Sequence, residues 1–342
     1  MDVQMRDASL KAFDIENEVE FVDARDEIYD FDEAAQKALL AQRPWTEDVN
    51  YFKRARISVI ALLKMVMHTR SGGALEVMGM MTGKIMGDAI VVMDAYPLPV
   101  EGTETRVNPQ SEAYEFMVQY LSTLNSVGRR ENIVGWYHSH PGYGCWLSGI
   151  DVGTQSQNQK FQDPFLAVVI DPNRTISSGK VELGAFRTYP DNYKPPPDAD
   201  AEYQTIPLTK IEDFGAHANQ YYSLEVSYFK SSLDTRILEL LWNKYWVSTL
   251  SQSPLLTNRA YATQQMLDLS RKISRTEAAA GAGIATLSLG GRAHPARRDE
   301  SKETELDKIV RDSTKIASEE LHGLLSEAVK NRIFDGAARP TA

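Results

Sequence analysis

The chain has 342 residues, of which 42% are hydrophobic and 25% charged, a net charge of -10 and a single cysteine. That length and apolar share suffice for a substantial core and suggest two domains, while the acidic balance argues against general nucleic-acid binding. One cysteine forms no intramolecular disulfide, which points to a reducing compartment, and the acid-rich start MDVQMRDASLKAFDIENEVEFVDARDE does not read as a signal peptide. With no run near the roughly twenty apolar residues of a membrane span, cytoplasm and nucleus are the expected locations.

Residues 1–50 read as an acidic arm, a solvated extension with a short helix over 32–41. A helix is expected over 55–69, where Ile57, Ile60, Leu63, Val66 and Met67 recur near the helical period before Gly72-Gly73 stops it. Strands over 74–82 and 89–95 form a hairpin around Gly87-Asp88. The segment PLPVEGTETRVNP over 97–109 is too proline-rich to continue the strand and reads as a mobile loop. A helix over 111–124, a strand Ile133-Val134-Gly135-Trp136-Tyr137, a helix from Ser148 and strands over 165–170 and 181–186 follow. Together they predict an α/β or α+β layer fold, a mixed sheet flanked by helices. The triple proline within 191–207 marks a linker. Beyond it, stripes over 222–250 (Leu224, Tyr228, Leu233, Leu238, Leu241, Tyr245) and 304–334 (Leu306, Ile309, Ile316, Leu324, Ile333) read as amphipathic helices. The alanine- and glycine-rich stretch 278–296 reads as a disordered loop. The expected domains are therefore the arm 1–50, a catalytic domain 51–190, the linker 191–207 and a helical region 208–342.

Chemistry concentrates at Tyr137-His138-Ser139-His140-Pro141, followed by Ser148 and Asp151. Side chains two apart on a strand share a face, so His138 and His140 aim at one point. Ser148 and Asp151, three apart, share a face of the next helix. His, His and Asp suit a catalytic zinc, whose fourth position stays open, whereas structural zinc takes four ligands, usually with cysteines. The missing carboxylate base is Glu76, an acid interrupting the apolar run Leu75-Glu76-Val77-Met78-Gly79-Met80-Met81; a buried acid needs a partner or a function. Taken alone, Ser148 and Asp151 also fit a helix capping box, which is commoner than an active site, and Glu76 alone fits a buried ion pair. Cys145 lies inside the same stretch and raises a cysteine-nucleophile alternative, which the better use of both histidines as ligands disfavours. His217, His294 and His322 are isolated and carry no functional expectation.

The set Glu76, His138-Ser139-His140, Ser148 and Asp151 resembles the JAMM or MPN-plus metalloproteases, and every motif position is filled. The longer string GWYHSHPGYGCWLSGIDV is similar to both the proteasome-lid deubiquitinase branch and the signalosome branch of that family. Three segments, LPVEGTETRVN, GAFRTYP and LELLWNKYWVSTL, resemble the signalosome branch, the likeness running from about residue 50 to 275. The resemblance implies an MPN-type fold and one catalytic zinc on His138, His140 and Asp151. It makes Glu76 the general acid/base and Ser148 an oxyanion donor. It further implies removal of a ubiquitin-like modifier from cullin lysines, with C-terminal helices joining other signalosome subunits. A ubiquitin-directed paralogue or a non-catalytic MPN scaffold are the alternatives. By itself the insertion over 97–109 fits a plain connector; in the family it is linked to keeping the isolated subunit inactive, and a mid-loop acid such as Glu104 is a candidate to occupy the open metal position.

Overall fold

The structure is a computed structural model that describes residues 26–101, 111–178, 180–191, 193, 195, 204–241, 257–288 and 305–337. The helix α1 (Glu33–Gln42) starts at Asp32, whose side chain accepts from the Ala35 amide at 2.9 Å, and ends at left-handed Arg43 before Pro44. Residues 26–50 are not a solvated arm. Ile28 and Trp45 are buried, and Leu39 and Leu40 pack against the main core.

The helix expected over 55–69 begins four residues later. Arg54–Ser58 is a strand, β1, and only Val59–Ser71 is helical, α2. In β1 Ala55 and Ile57 are buried and Arg54 is exposed, an alternation of period two that the helical stripe downstream conceals. The hairpin forms as expected, with β2 (Val77–Met86) and β3 (Ala89–Glu101) joined through Gly87 at φ 58°. Contrary to expectation, β3 continues through Pro97 and Pro99. Its β1 partner runs out at Val92, so the proline-bearing end is an edge paired only with β2, where proline is tolerated.

The helix α3 (Ser111–Ser126) precedes the metal-bearing strand β4 (Asn132–Ser139), followed by α4 (Gly149–Phe161), β5 (Leu166–Ile170), α5 (Pro172–Ser178) and β6 (Leu183–Thr188). After the short helix α6 (Ile211–His217), residues 221–229 form the strand β7 (Tyr221–Phe229) rather than a helix. In β7 the aromatic and β-branched content favours extension, and Tyr222, Leu224 and Val226 alternate onto the core. Only Ser232–Leu241, α7, is helical, and residues 242–250 lie outside the described residues. The described strands run β1-β3-β2-β4-β5-β6-β7, and a parallel β7–β1 pairing closes the sheet on itself. The sheet is mixed, as predicted, and its seventh strand comes from beyond the expected linker.

Two apolar layers hold the sheet. On one face Ile57, Ile90, Val92, Met81, Tyr137, Leu166, Val168 and Ile170 meet Ala61, Leu62 and Met65 of α2. On the other, Met78, Met80, Trp136, Ala167, Val169 and Phe186 meet Val152 of α4 and Phe116, Met117 and Tyr120 of α3. Alternate residues of β5 serve opposite layers, which is why it reads as a continuous apolar run. The chain ends in two long helices, α8 (Arg259–Ser288) and α9 (Glu305–Ala337), with α9 packed on α5. Residues 278–288, expected in a disordered loop, continue α8; alanine's helix propensity outweighs the glycines there. Residues 289–296 lie outside the described residues. Among the described residues no helix is long and apolar enough to cross a membrane.

Candidate metal centre

The β4 strand delivers the two histidines. His138 ends its pairing with β2 opposite Met78 and lies beside Val169 of β5. His140, just past the strand, is anchored by its amide to the Ile170 carbonyl at 2.9 Å. The third donor comes from α4, whose start is the predicted capping box: Asp151 Oδ2 accepts from the Ser148 amide at 2.9 Å and from Ser148 Oγ at 2.6 Å. The cap and the site are one structure, because the same Oδ2 faces both imidazoles.

His138 Nε2 and His140 Nε2 lie 3.0 Å apart, and Asp151 Oδ2 stands 3.4 and 3.5 Å from them. Ligand atoms in a tetrahedral zinc site with bonds near 2.0–2.1 Å are separated by about 3.3 Å, so this triangle has the dimensions of three corners of such a site. All three residues are buried, and they form a group able to hold a metal ion. The His140 tautomer follows from its second nitrogen. Nδ1 is 3.0 Å from the Gly144 carbonyl, which only accepts, so Nδ1 carries the proton and Nε2 presents its lone pair to the centre. His138 Nδ1 is buried with no partner among the described residues; its ring is held by stacking on Trp136 with centroids 4.6 Å apart. Trp136 is fixed in turn by donating to Gln155 Oε1 at 2.9 Å, and Tyr143 stacks on His140 at 4.4 Å.

Electrostatics bind the group together. Burial opposes ionisation of Asp151, but His138 and His140 overcome it and hold the carboxyl well below the usual carboxylate range. Burial likewise opposes protonation of His138, yet Asp151 pulls its pKa up.

Glu76 sits one residue before β2 rather than inside a buried strand, and it is half-buried. Because Met78 pairs with His138 in an antiparallel ladder, stepping two residues back brings Glu76 opposite His140. Burial pushes the Glu76 carboxyl up, while His140 and His138 pull it down. Its backbone position is fixed by a residue the sequence reading passed over: Ser139, between the ligands, turns to the other face and accepts from the Val77 amide at 3.0 Å.

The structure removes the cysteine-nucleophile alternative. Cys145 is buried, its thiol pushed far up by burial and its Sγ directed at the Glu182 carbonyl at 3.4 Å. Glu104 lies outside the described residues. His217, without an expected role, lies against Gly149 beside the start of α4 and 3.4 Å from Asp213. The residues that hold the ligand rings, Trp136, Tyr143 and Gln155, and Ser139, which fixes the backbone beside Glu76, carry no expectation in the sequence. Trp136 alone had a signal, its i,i+2 spacing from His138.

A mixed sheet whose strand ends in His-x-His, met by an aspartate from the next helix turn, brings together three buried donors able to hold a metal ion. Comparison with known proteins gives the family. Residues 50–164 match the family described as JAB1/Mov34/MPN/PAD-1 ubiquitin protease, and residues 251–335 match the Cop9 signalosome subunit 5 C-terminal domain. The chain is 60% identical over 314 residues to COP9 signalosome complex subunit 5 of Oryza sativa subsp. japonica, covering 92% of this chain and 86% of the relative. Subunit 5a of Arabidopsis thaliana is 57% identical over 333 residues (96% and 92% covered), and subunit 5 of Drosophila melanogaster 53% over 329 (96% and 97%). The chain belongs to the COP9 signalosome subunit 5 family, within the JAB/MPN class.

Proposed function

We propose that this protein is a zinc-dependent isopeptidase that removes a ubiquitin-like modifier from cullin lysines as the catalytic subunit of a signalosome, acting in cytoplasm and nucleus. The observation that carries the reading is the convergence of His138 Nε2, His140 Nε2 and Asp151 Oδ2 on one point with zinc-like separations. His138, His140 and Asp151 would hold the ion. When bound, zinc supplies a Lewis acid for the scissile carbonyl and lowers the pKa of water toward about 7.

The remaining steps belong to the chain. Glu76, close to both histidines and raised by burial, takes the proton of the attacking water and delivers it to the departing lysine amine, as general acid/base catalysis requires. Ser148 Oγ rotates from Asp151 toward the developing oxyanion and donates to it. Trp136 and Tyr143 keep the two imidazoles from turning. A non-catalytic scaffold has no need of three buried donors at these separations.

The test is metal analysis of the purified chain with cleavage of cullin conjugates and polyubiquitin chains, alone and with the other subunits. Stoichiometric zinc, loss of cleavage on chelation and its return with zinc are expected, with cullin conjugates preferred. Chelator-insensitive cleavage would overturn the metal mechanism, and a preference for polyubiquitin would place the protein with the deubiquitinase branch.

A further inference from the structure

The turn after His140 is held by one carboxylate. Asp171, fully buried at the β5–α5 junction, accepts from four backbone amides. Its Oδ1 receives Gly142 N at 3.0 Å, Asn173 N at 3.0 Å and Arg174 N at 2.9 Å; its Oδ2 receives Gly144 N at 2.9 Å. Two of these bonds cap α5. The other two cross to the metal-bearing turn, and Gly144 is the residue whose carbonyl accepts the His140 Nδ1 proton at 3.0 Å.

The turn is pressed from its other side by residues far along the chain. Gly142 and Gly144 stand at φ 91° and 94°, a region costly for other residues. A Cβ at Gly142 would come 3.0 Å from the Tyr261 ring of α8, and one at Gly144 would come 2.8 Å from Gln204 Oε1 and 3.1 Å from Arg174 Nη1. Arg174 is 3% exposed; its Nε lies 3.3 Å from Asp171 Oδ2 and its guanidinium donates to the Thr205 carbonyl. Glu319 of α9, close enough to act on Arg174, buries both carboxylate oxygens with no hydrogen-bond partner among the described residues.

We propose that Asp171, clamped by Arg174, is the positioning residue of the metal centre, fixing through Gly144 the tautomer and direction of His140 and tying the site to the C-terminal helices. The inference rests on the reading of this site as a zinc centre. Removing an outer partner of a metal-ligating histidine loosens the ion rather than deleting a ligand. One negative charge shared among four amides is poorly replaced by an amide side chain, because Asn presents an oxygen on only one of the two sides that Asp171 uses.

The experiment uses the full chain, stripped of metal, with zinc affinity read by competition against a chromophoric chelator and backbone amide exchange followed at Gly142 and Gly144. Asp171→Asn should weaken zinc by about ten- to a hundredfold and speed exchange at both glycines. Arg174→Lys, which keeps the charge but loses the fork, should give a smaller loss of the same kind, and it answers the question should Asp171→Asn not fold. Lys272→Met is the control, because Lys272 Nζ joins Asp312 at 2.6 Å and Asp268 at 3.1 Å in the same helix pair without touching the turn. It should lower thermal stability and leave zinc affinity unchanged. Wild-type affinity and exchange in Asp171→Asn would overturn the proposal, as would an equal loss of zinc in Lys272→Met. Failure of the wild-type chain to bind zinc would defeat the metal reading instead, and the exchange data, taken without metal, would still decide whether Asp171 fixes the turn.

Discussion

The metal centre and the C-terminal helix α9 spend their polar and apolar groups in opposite ways. At the centre the ligand residues are buried, and the atoms that orient them are addressed within the chain, from Asp151 Oδ2 to His140 Nδ1. On α9 the inward stripe is Asp312, Ile316, Glu319 and Gly323, while Leu306, Val310, Leu321, Leu325 and Val329 face outward. A helix of a self-sufficient domain places its apolar stripe inward. The first region is finished within the chain, fit for fixed chemistry. The second leaves apolar side chains exposed, a feature that in general marks protein-contact surfaces and whose use as one here is a prediction that assembly tests.

The comparison breaks most sharply at a ligand. His138→Ala removes a corner of the triangle and leaves Asp151 without the neighbour that contributes most to holding it ionised; zinc should be lost and cleavage fall to background. Retention of stoichiometric zinc by that variant, measured by metal analysis, would refute the ligand assignment. Glu76→Gln should keep the zinc and lose about 10²- to 10⁴-fold in turnover. The pH dependence follows from the sign of the Glu76 shift. In the metal-free chain burial raises its pKa above the ordinary 4.5, so the carboxylate is depleted as pH falls, and its titration, followed by NMR in metal-stripped protein, should lie above 4.5 and be absent in Glu76→Gln. Ser148→Ala should cost about a hundred- to a thousandfold in rate if the hydroxyl serves the oxyanion. It also deletes a cap worth about 0.5–2 kcal/mol, so the denaturation midpoint should fall alongside the rate; a fall in stability with wild-type turnover would reduce Ser148 to a cap.

The sequence exposed the chemistry better than the frame. His138, His140, Ser148 and Asp151 lie within fourteen residues, where strand and helix periodicities alone decide which side chains meet, and the structure brings them together. Glu76 was found as an acid out of place, although its position just ahead of β2 depends on a ladder to β4 that no local pattern announces. The strands β1 and β7 read as helix because each runs directly into a helical stripe. Closure of the sheet depends on pairing residues 54–58 with 225–229, a separation that leaves no local trace. Asp171 carries a readable sign, an Asp before Pro at a strand end, but that pattern by itself announces only a helix start.

The mildest change for the isolated chain is the sharpest test of the outward face. Leu321 is 60% exposed and Leu325 62%, and four residues apart they share one side of α9. Replacing both by aspartate removes little buried surface, so the stability of the free chain should move by no more than about 0.5 kcal/mol per site. Zinc content should not change either, since both side chains point away from the buried stripe of α9 that carries Glu319 toward Arg174. Burying two carboxylates against apolar helices of other subunits is costly without partners, so co-purification with the signalosome should drop sharply. Wild-type assembly by the double variant would show that this face is not where the partners sit, and the contrast between a finished site and an unfinished helix would have to be drawn elsewhere on the molecule.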